Sequence, residues 1–347
     1  MPPDPEVTKR PEIWEQQARN RRNTVLLMVV FTLLLVVLGL GVDVFLFGRS
    51  TGEGQGFFVP VAAVIALLIG AFQSLGGYYW GAGAVLGSAR ARPADPLNER
   101  ERLLLNVVAE MRLASGLPMP KVYVLPDPDP NAFAVGRDPG HAAVAVTRGL
   151  LETLDRAELQ GVIGHEMAHV RNLDIRTMTM VAALAGAVVL ISDFAARMMR
   201  WGGVRGSGSR GRDRDSGGGG AAGLIFLGVW VVLILIAPLL AQFMAFAVSR
   251  SREYEADATS AEFTRNPLGL ASALRKLDAA AAPTTTIGRG AAHLCIADPA
   301  GSEVNNREGR AAALFATHPP IGKRIAILEA MAGAGTVSEG RPAGGGC

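Results

Sequence analysis

The sequence predicts an α-helical membrane protein that carries a mixed α/β soluble domain. Three observations lead there: four long apolar stretches, a cluster of short strand-like runs, and two helical segments rich in metal-ligating side chains. Of the 347 residues, 49% are hydrophobic and only 19% are charged. The mean hydropathy of +0.27 is high for a water-soluble chain of this length. A net charge of +3, with no Lys/Arg run interleaved with aromatics, argues against nucleic acid as a partner. The two cysteines, Cys295 and Cys347, lie far apart, so neither a disulfide framework nor a cysteine-ligated metal is expected.

The apolar stretches come first. Residues 24–48, TVLLMVVFTLLLVVLGLGVDVFLFG, are long enough to cross a bilayer, which takes about 20 residues. They begin too far into the chain, and lack the cleavage pattern, for a signal peptide. Residues 57–80 form a second span ending in Tyr78, Tyr79 and Trp80, which suit a membrane interface. Basic flanks precede the first span and follow the second, so both ends of this hairpin are expected in the cytoplasm. Residues 177–196 and 221–248 make a second hydrophobic hairpin, joined by the Gly/Arg-rich linker 197–220. A crossing hairpin puts that arginine-rich linker outside, against the orientation rule; an interfacial or re-entrant third stretch is the alternative.

The expected organisation follows: a basic cytoplasmic N-terminus at 1–23 and a first hairpin at 24–80. One half of a soluble domain spans 81–176, the second hairpin 177–248, the other half 249–332, and a flexible Gly-rich tail 333–347. Within the first half, KVYVL (121–125), NAFAVG (131–136) and AAVAVT (142–147) read as a small sheet.

Next comes LQGVIGHEMAHVRNLD at 159–174. Asp155 with Glu158 forms a capping box, and Leu159, Val162, Ile163, Met167 and Val170 recur at helical spacing. His165 and His169 are therefore one turn apart and can reach one ion, with Glu166 beside them in the apolar stripe. A carboxylate buried there without a partner is costly; one facing a metal-bound water is not unpaired. An amphipathic helix with two rim histidines is the competing reading. After the fourth apolar stretch, SRSREYEADATSAEF supplies Glu253, which can complete a His₂Glu site with an open fourth position. Asp257, one turn on, can orient a ligating histidine. A solvated charged face is the alternative for this segment. Asn172 and Asp174 read as helix caps or as supports of the histidines; His141 and His293 have no partner at ligand spacing.

HEMAH, a hydrophobic hairpin and SRSREYEADATSAEF, in that order, resemble the HtpX family of membrane zinc metalloproteases. NAFAVGRDPGHAAVAVTRGLLETL and THPPIGKRIAIL (317–328) do so too. The resemblance implies an α+β gluzincin domain facing the cytoplasm, with one zinc ion held by His165, His169 and Glu253. It implies Glu166 as the catalytic carboxylate, acting as general base on a metal-activated water. It also brings the THPP loop near the metal, where His318 is a candidate donor to the oxyanion, and it points to Asn131, Ala132 and Phe133 as an unpaired edge strand for substrate. Arg324, on the helix that follows, is expected on a solvated face or paired with Asp257 or Glu255.

The implied role is quality control: hydrolysis of misfolded or damaged membrane proteins in the inner membrane of a bacterium, by a multi-pass protein. The partners are unfolded polypeptide and the lipid bilayer, with self-association or other quality-control proteins as further candidates. A CAAX-prenyl-protease-like enzyme has more spans than the four candidates here, and a zinc-binding scaffold would normally close its site with four protein ligands.

Overall fold

The computed structural model describes residues 13–47, 60–184, 251–280, 294–297 and 319–339. The linker 197–220, the fourth apolar stretch, His293 and His318 lie outside these residues.

Two long helices, α1 (Ile13–Phe47) and α2 (Val61–Ser88), pack along each other. They approach closely because Gly70 has no side chain: a Cβ there would lie 3.1 Å from Thr32 Cα. The buried Asp43 accepts from the backbone N–H of Ala63, satisfying a donor in the first turn of α2 where the helix dipole favours negative charge. Apolar windows at Glu15–Val37 and Ala63–Ser88 are long enough to cross a membrane. Their outer faces present Leu26, Val29, Leu33, Leu68, Phe72 and Trp80 in the open. Such a belt suits lipid and not water.

The helix α1 starts well before the expected boundary at residue 24. The segment IWEQQARNRRN consists mostly of good helix formers and contains no proline, so the span extends as one rod into the soluble side. That makes the expected basic N-terminus structural over residues 13–23.

Four strands follow: β1 (Arg92–Pro93), β2 (Lys121–Leu125), β3 (Ala132–Val135) and β4 (Ala143–Thr147), in the order β1-β2-β4-β3. β2 and β4 are parallel, with Tyr123 opposite Ala145; β3 returns antiparallel on β4, with Phe133 opposite Ala145. The three strands read from the sequence are present to within a residue of their ends. β3, however, is not an open edge among the described residues. Ile296 donates its N–H to Ala132 O at 3.0 Å, and Phe133 pairs with Cys295 in antiparallel register. An exposed row of backbone donors and acceptors is a liability, and residues 294–297 cover it.

One face of the sheet is covered by α3 (Glu99–Ser115), the short α4 (Arg148–Thr153) and α5 (Arg156–Arg171). The capping box opens α5 as expected: Asp155 accepts from Glu158 N while Glu158 reaches back to Asp155 N. Leu159, Val162, Ile163, Met167 and Val170 are all buried, each contributing about 1.5–3 kcal/mol over an exposed side chain. A turn then leads into α6 (residues 174–184), which packs against α1 and α2 through Met180, Leu184 and Phe31. The proposed third span thus begins as a buried helix.

The second half of the domain contributes α7 (Ser251–Thr264), α8 (Pro267–Ala279) and α9 (Ile321–Glu339). α9 runs past Ala332 to Glu339, through residues expected in the flexible tail; no proline occurs before Pro342 to stop it. α8 crosses α5 at Gly161, where a Cβ would sit 2.6 Å from the backbone nitrogen of Leu270. Ser260 on α7 donates to Gly161 O at 2.7 Å on the same contact.

The Gly161→Ala variant is therefore expected to lose about 1–3 kcal/mol of stability by forcing α8 away from α5. Thermal unfolding of the purified chain checks it, and an unchanged midpoint would contradict the close crossing.

Candidate metal centre

Helical spacing on α5 turns His165 and His169 to the same side, and α7 crosses there to bring in Glu253. The two Nε2 atoms face each other at 3.2 Å, with rings at right angles. Glu253 Oε2 lies 3.6 Å from His165 Nε2, and Glu253 Oε1 lies 3.6 Å from His169 Nε2. Three potential ligand atoms thus lie within 4.8 Å of one another, all from buried residues.

The donor set fits a tetrahedral divalent cation. Two atoms each about 2.0–2.1 Å from such an ion stand about 3.3 Å apart, close to the observed separation of the imidazole nitrogens. Their outer nitrogens are also held. His165 Nδ1 lies 2.9 Å from Asp257 Oδ1, and His169 Nδ1 lies 3.1 Å from Asp174 Oδ2. Carboxylates at both Nδ1 positions accept from a proton held there, which favours the tautomer that leaves both Nε2 lone pairs for a metal. Glu166 completes the case. It is buried, and its Oε2 has no hydrogen-bond partner among the described residues. An anion left so would be costly unless a cation faced it.

Electrostatics agree with a missing positive charge. Burial pushes the Glu166 carboxyl above its ordinary value, against the opposing pull of His165 and His169. Burial pulls the His165 imidazole down, but Asp257 and Glu253 outweigh it and raise its pKa to about 9.

For Arg324 on α9 the sequence left two places open, a solvated face, which it favoured, and a pair with Asp257 or Glu255; the structure shows the pair with Asp257. Arg324 is not on a solvated face but fully buried. Its Nε donates to Asp257 Oδ2 at 2.8 Å and its Nη2 to Asp257 Oδ1 at 2.7 Å, a two-pronged pair. Its Nη1 lies 3.2 Å from Glu253 Oε2 and donates to Ile296 O at 3.1 Å. Burial would push Asp257 up, but the guanidinium and His165 hold it below the usual carboxylate range. The clue was periodicity: Arg324 lies three residues after Ile321 and four before Leu328, both buried, on the same helical stripe.

The other expected residues fall in different places. Asp257 faces His165 Nδ1, and Asp174 faces His169 Nδ1. Asn131 is buried, its Nδ2 donating to Ala297 O at 3.1 Å. His141 sits on an exposed turn with Asp138 and Arg137. Asn20, on α1, reaches Asp174 from nearly the other end of the chain, and no sequence pattern pointed to it.

A family model described as Peptidase family M48 matches residues 98–332, more than half of the chain. The chain belongs to that family. A protein named Protease HtpX homolog from Caldanaerobacter subterraneus subsp. tengcongensis is 42% identical over 325 residues, covering 94% of this chain and 99% of that one. Another of the same name, from Listeria monocytogenes serotype 4a, is 38% identical over 319 residues, covering 92% and 100%. The crystal structure of S. mikatae Ste24p superposes with a TM-score of 0.46 at 15% identity, covering 91% of this chain and 67% of that one. This M48 peptidase is a membrane metalloprotease, built from a mixed α/β domain and at least two membrane-type helices.

Within this M48 site, removing the buried guanidinium strands two carboxylates. The Arg324→Leu variant, measured free of metal, is expected to lose about 3–5 kcal/mol. Denaturant unfolding against wild type tests this; equal stability would mean that Asp257 and Glu253 are not ionised together.

Proposed function

We propose that this chain is a zinc endopeptidase of the membrane in which His165, His169 and Glu253 hold the metal and Glu166 moves the proton. One observation carries the reading: a buried carboxylate oxygen without a partner stands beside three converging ligand atoms. Zinc bound there supplies a Lewis acid and a water whose pKa falls towards about 7.

The chain's own residues do the rest. Asp257 and Asp174 keep the ring protons on Nδ1, so that each Nε2 remains a lone-pair donor. Arg324 keeps Asp257 ionised and holds both Asp257 and Glu253 in place. Glu166, with its raised proton affinity, takes the proton of the attacking water and delivers it to the departing amine. His318 is our candidate donor to the oxyanion; it lies three residues before α9, the helix that brings in Arg324. Asn131, Ala132 and Phe133 form the proposed substrate edge, a place taken in this structure by residues 294–297.

The substrates we propose are exposed or unfolded segments of misfolded and damaged membrane proteins, because backbone pairing at a strand edge is permissive of sequence. The proposed setting is the inner membrane of a bacterium, multi-pass, with the metal site in the cytoplasm. The support for that side is the pair of basic flanks around the first hairpin.

Replacing Glu166 with Gln should leave zinc content at the wild-type level and cut casein cleavage by about a hundred- to ten-thousand-fold. Replacing Glu253 with Ala should lower both. Metal analysis and proteolysis on the same samples decide it, and an active Glu166→Gln protein would sink the assignment. For orientation, Leu97 is 90% exposed in the soluble domain. A cysteine placed there, in a chain lacking Cys295 and Cys347, should react with an impermeant maleimide only from the cytoplasmic side. Reaction from outside alone would reverse the topology.

A further inference from the structure

We propose that Asn20, on the N-terminal extension of the membrane helix α1, is a positioning residue for the metal centre, acting through Asp174 on His169. The inference rests on the metal site proposed above and goes beyond it, because it makes ligand geometry depend on the docking of a membrane anchor.

Asn20 is buried and offers two N–H donors from its amide, and both are used. One goes to Asp174 Oδ1 at 2.7 Å, the other to Asn172 O at 2.9 Å. The second oxygen of Asp174 faces His169 Nδ1 at 3.1 Å. A continuous chain therefore runs from α1 through one carboxylate to a ring whose far nitrogen points at the metal position.

The turn that Asn20 clasps needs holding. Between Asn172 and Asp174 lies Leu173 with φ of 60°, a left-handed conformation disfavoured for a side chain of its kind. The two bonds from Asn20 span this residue and pin both of its neighbours. Without them the turn is free to relax, and Asp174 would move with it. The same end of α5 is also short of donors, as every helix C-terminus is. Gln17, one turn before Asn20, supplies one by donating to Arg171 O at 2.9 Å. The first turns of α1 thus finish the helix that carries both histidines.

Docking alone is the competing explanation, and a neighbouring residue separates the two. Thr24, one turn after Asn20, is buried against Thr177 with their hydroxyls 3.1 Å apart. It joins α1 to α6 and donates to the Asn20 carbonyl at 2.8 Å, but among the described residues it makes no hydrogen bond to Asp174 or to the Asn20 amide.

The test uses full-length chain purified in detergent, with zinc affinity measured by competition against a chromogenic chelator. Asp174→Ala should weaken zinc binding by about 10–100-fold and Asn20→Ala by about tenfold. The double variant should bind no more weakly than Asp174→Ala alone, because Asn20 acts only through that carboxylate. Thr24→Val should bind zinc as wild type does. Asn20→Asp has the same volume but presents acceptors where donors are needed, so it should bind at least as weakly as Asn20→Ala without opening a cavity. Wild-type affinity in both Asn20 variants would overturn the inference. So would a double variant whose loss is the product of the single losses, or a Thr24→Val loss equal to that of Asn20→Ala. If wild type itself takes up no zinc, the metal site proposed above fails first and this inference falls with it.

Discussion

A buried excess of negative charge is the constraint around which this protein is arranged. Glu166, Asp174, Glu253 and Asp257 are all buried, and an oxygen of each of the last three lies within 3.6 Å of a nitrogen of His165 or His169. Arg324 and Arg252 supply two positive charges against these four carboxylates. A divalent cation between the imidazoles would bring the group to neutrality. Burying one uncompensated charge costs several kcal/mol, so the donor set and the charge count call for the same ion.

The fold answers that demand with long-range contacts. α5 is fixed first, by its capping box, its apolar stripe against the sheet and the close crossing at Gly161. α7 then lays Glu253 and Asp257 across it, and α9 threads Arg324 beneath both. The sheet serves as a backstop, and its β3 edge is tied to the centre through Ile296, whose N–H bonds Ala132 and whose carbonyl accepts from Arg324. The membrane helix α1 joins the same network from the opposite side. In this arrangement the anchor and the protease domain share hydrogen bonds, and the soluble part is not simply tethered to the bilayer.

What could be read along the chain was what local periodicity encodes. The α5 helix followed from Asp155, Glu158 and the apolar residues at helical spacing; the strands followed from short β-branched runs. Glu253 was legible only in company with HEMAH and the family resemblance, because its segment alone reads as a solvated charged face. Arg324 was legible only as the less favoured of two readings, because a charged residue on an amphipathic helix ordinarily faces water, and its partners from α7 are what justify burying it. Asn20 was hidden for a similar reason. Its two acceptors lie about 150 residues away, and the basic residues around it read as a membrane flank. The β3 edge looked open because the segment that covers it comes from the far half of the domain. Long-range burial of polar groups is the information a linear reading lacks.

The most direct measurement is the coordination shell of the bound metal. X-ray absorption at the zinc edge of the purified, metal-loaded chain should show only nitrogen and oxygen neighbours at about 2.0–2.2 Å, with the outer-shell scattering of two imidazoles. A sulfur shell at about 2.3 Å, or a spectrum without imidazole scattering, would contradict the account.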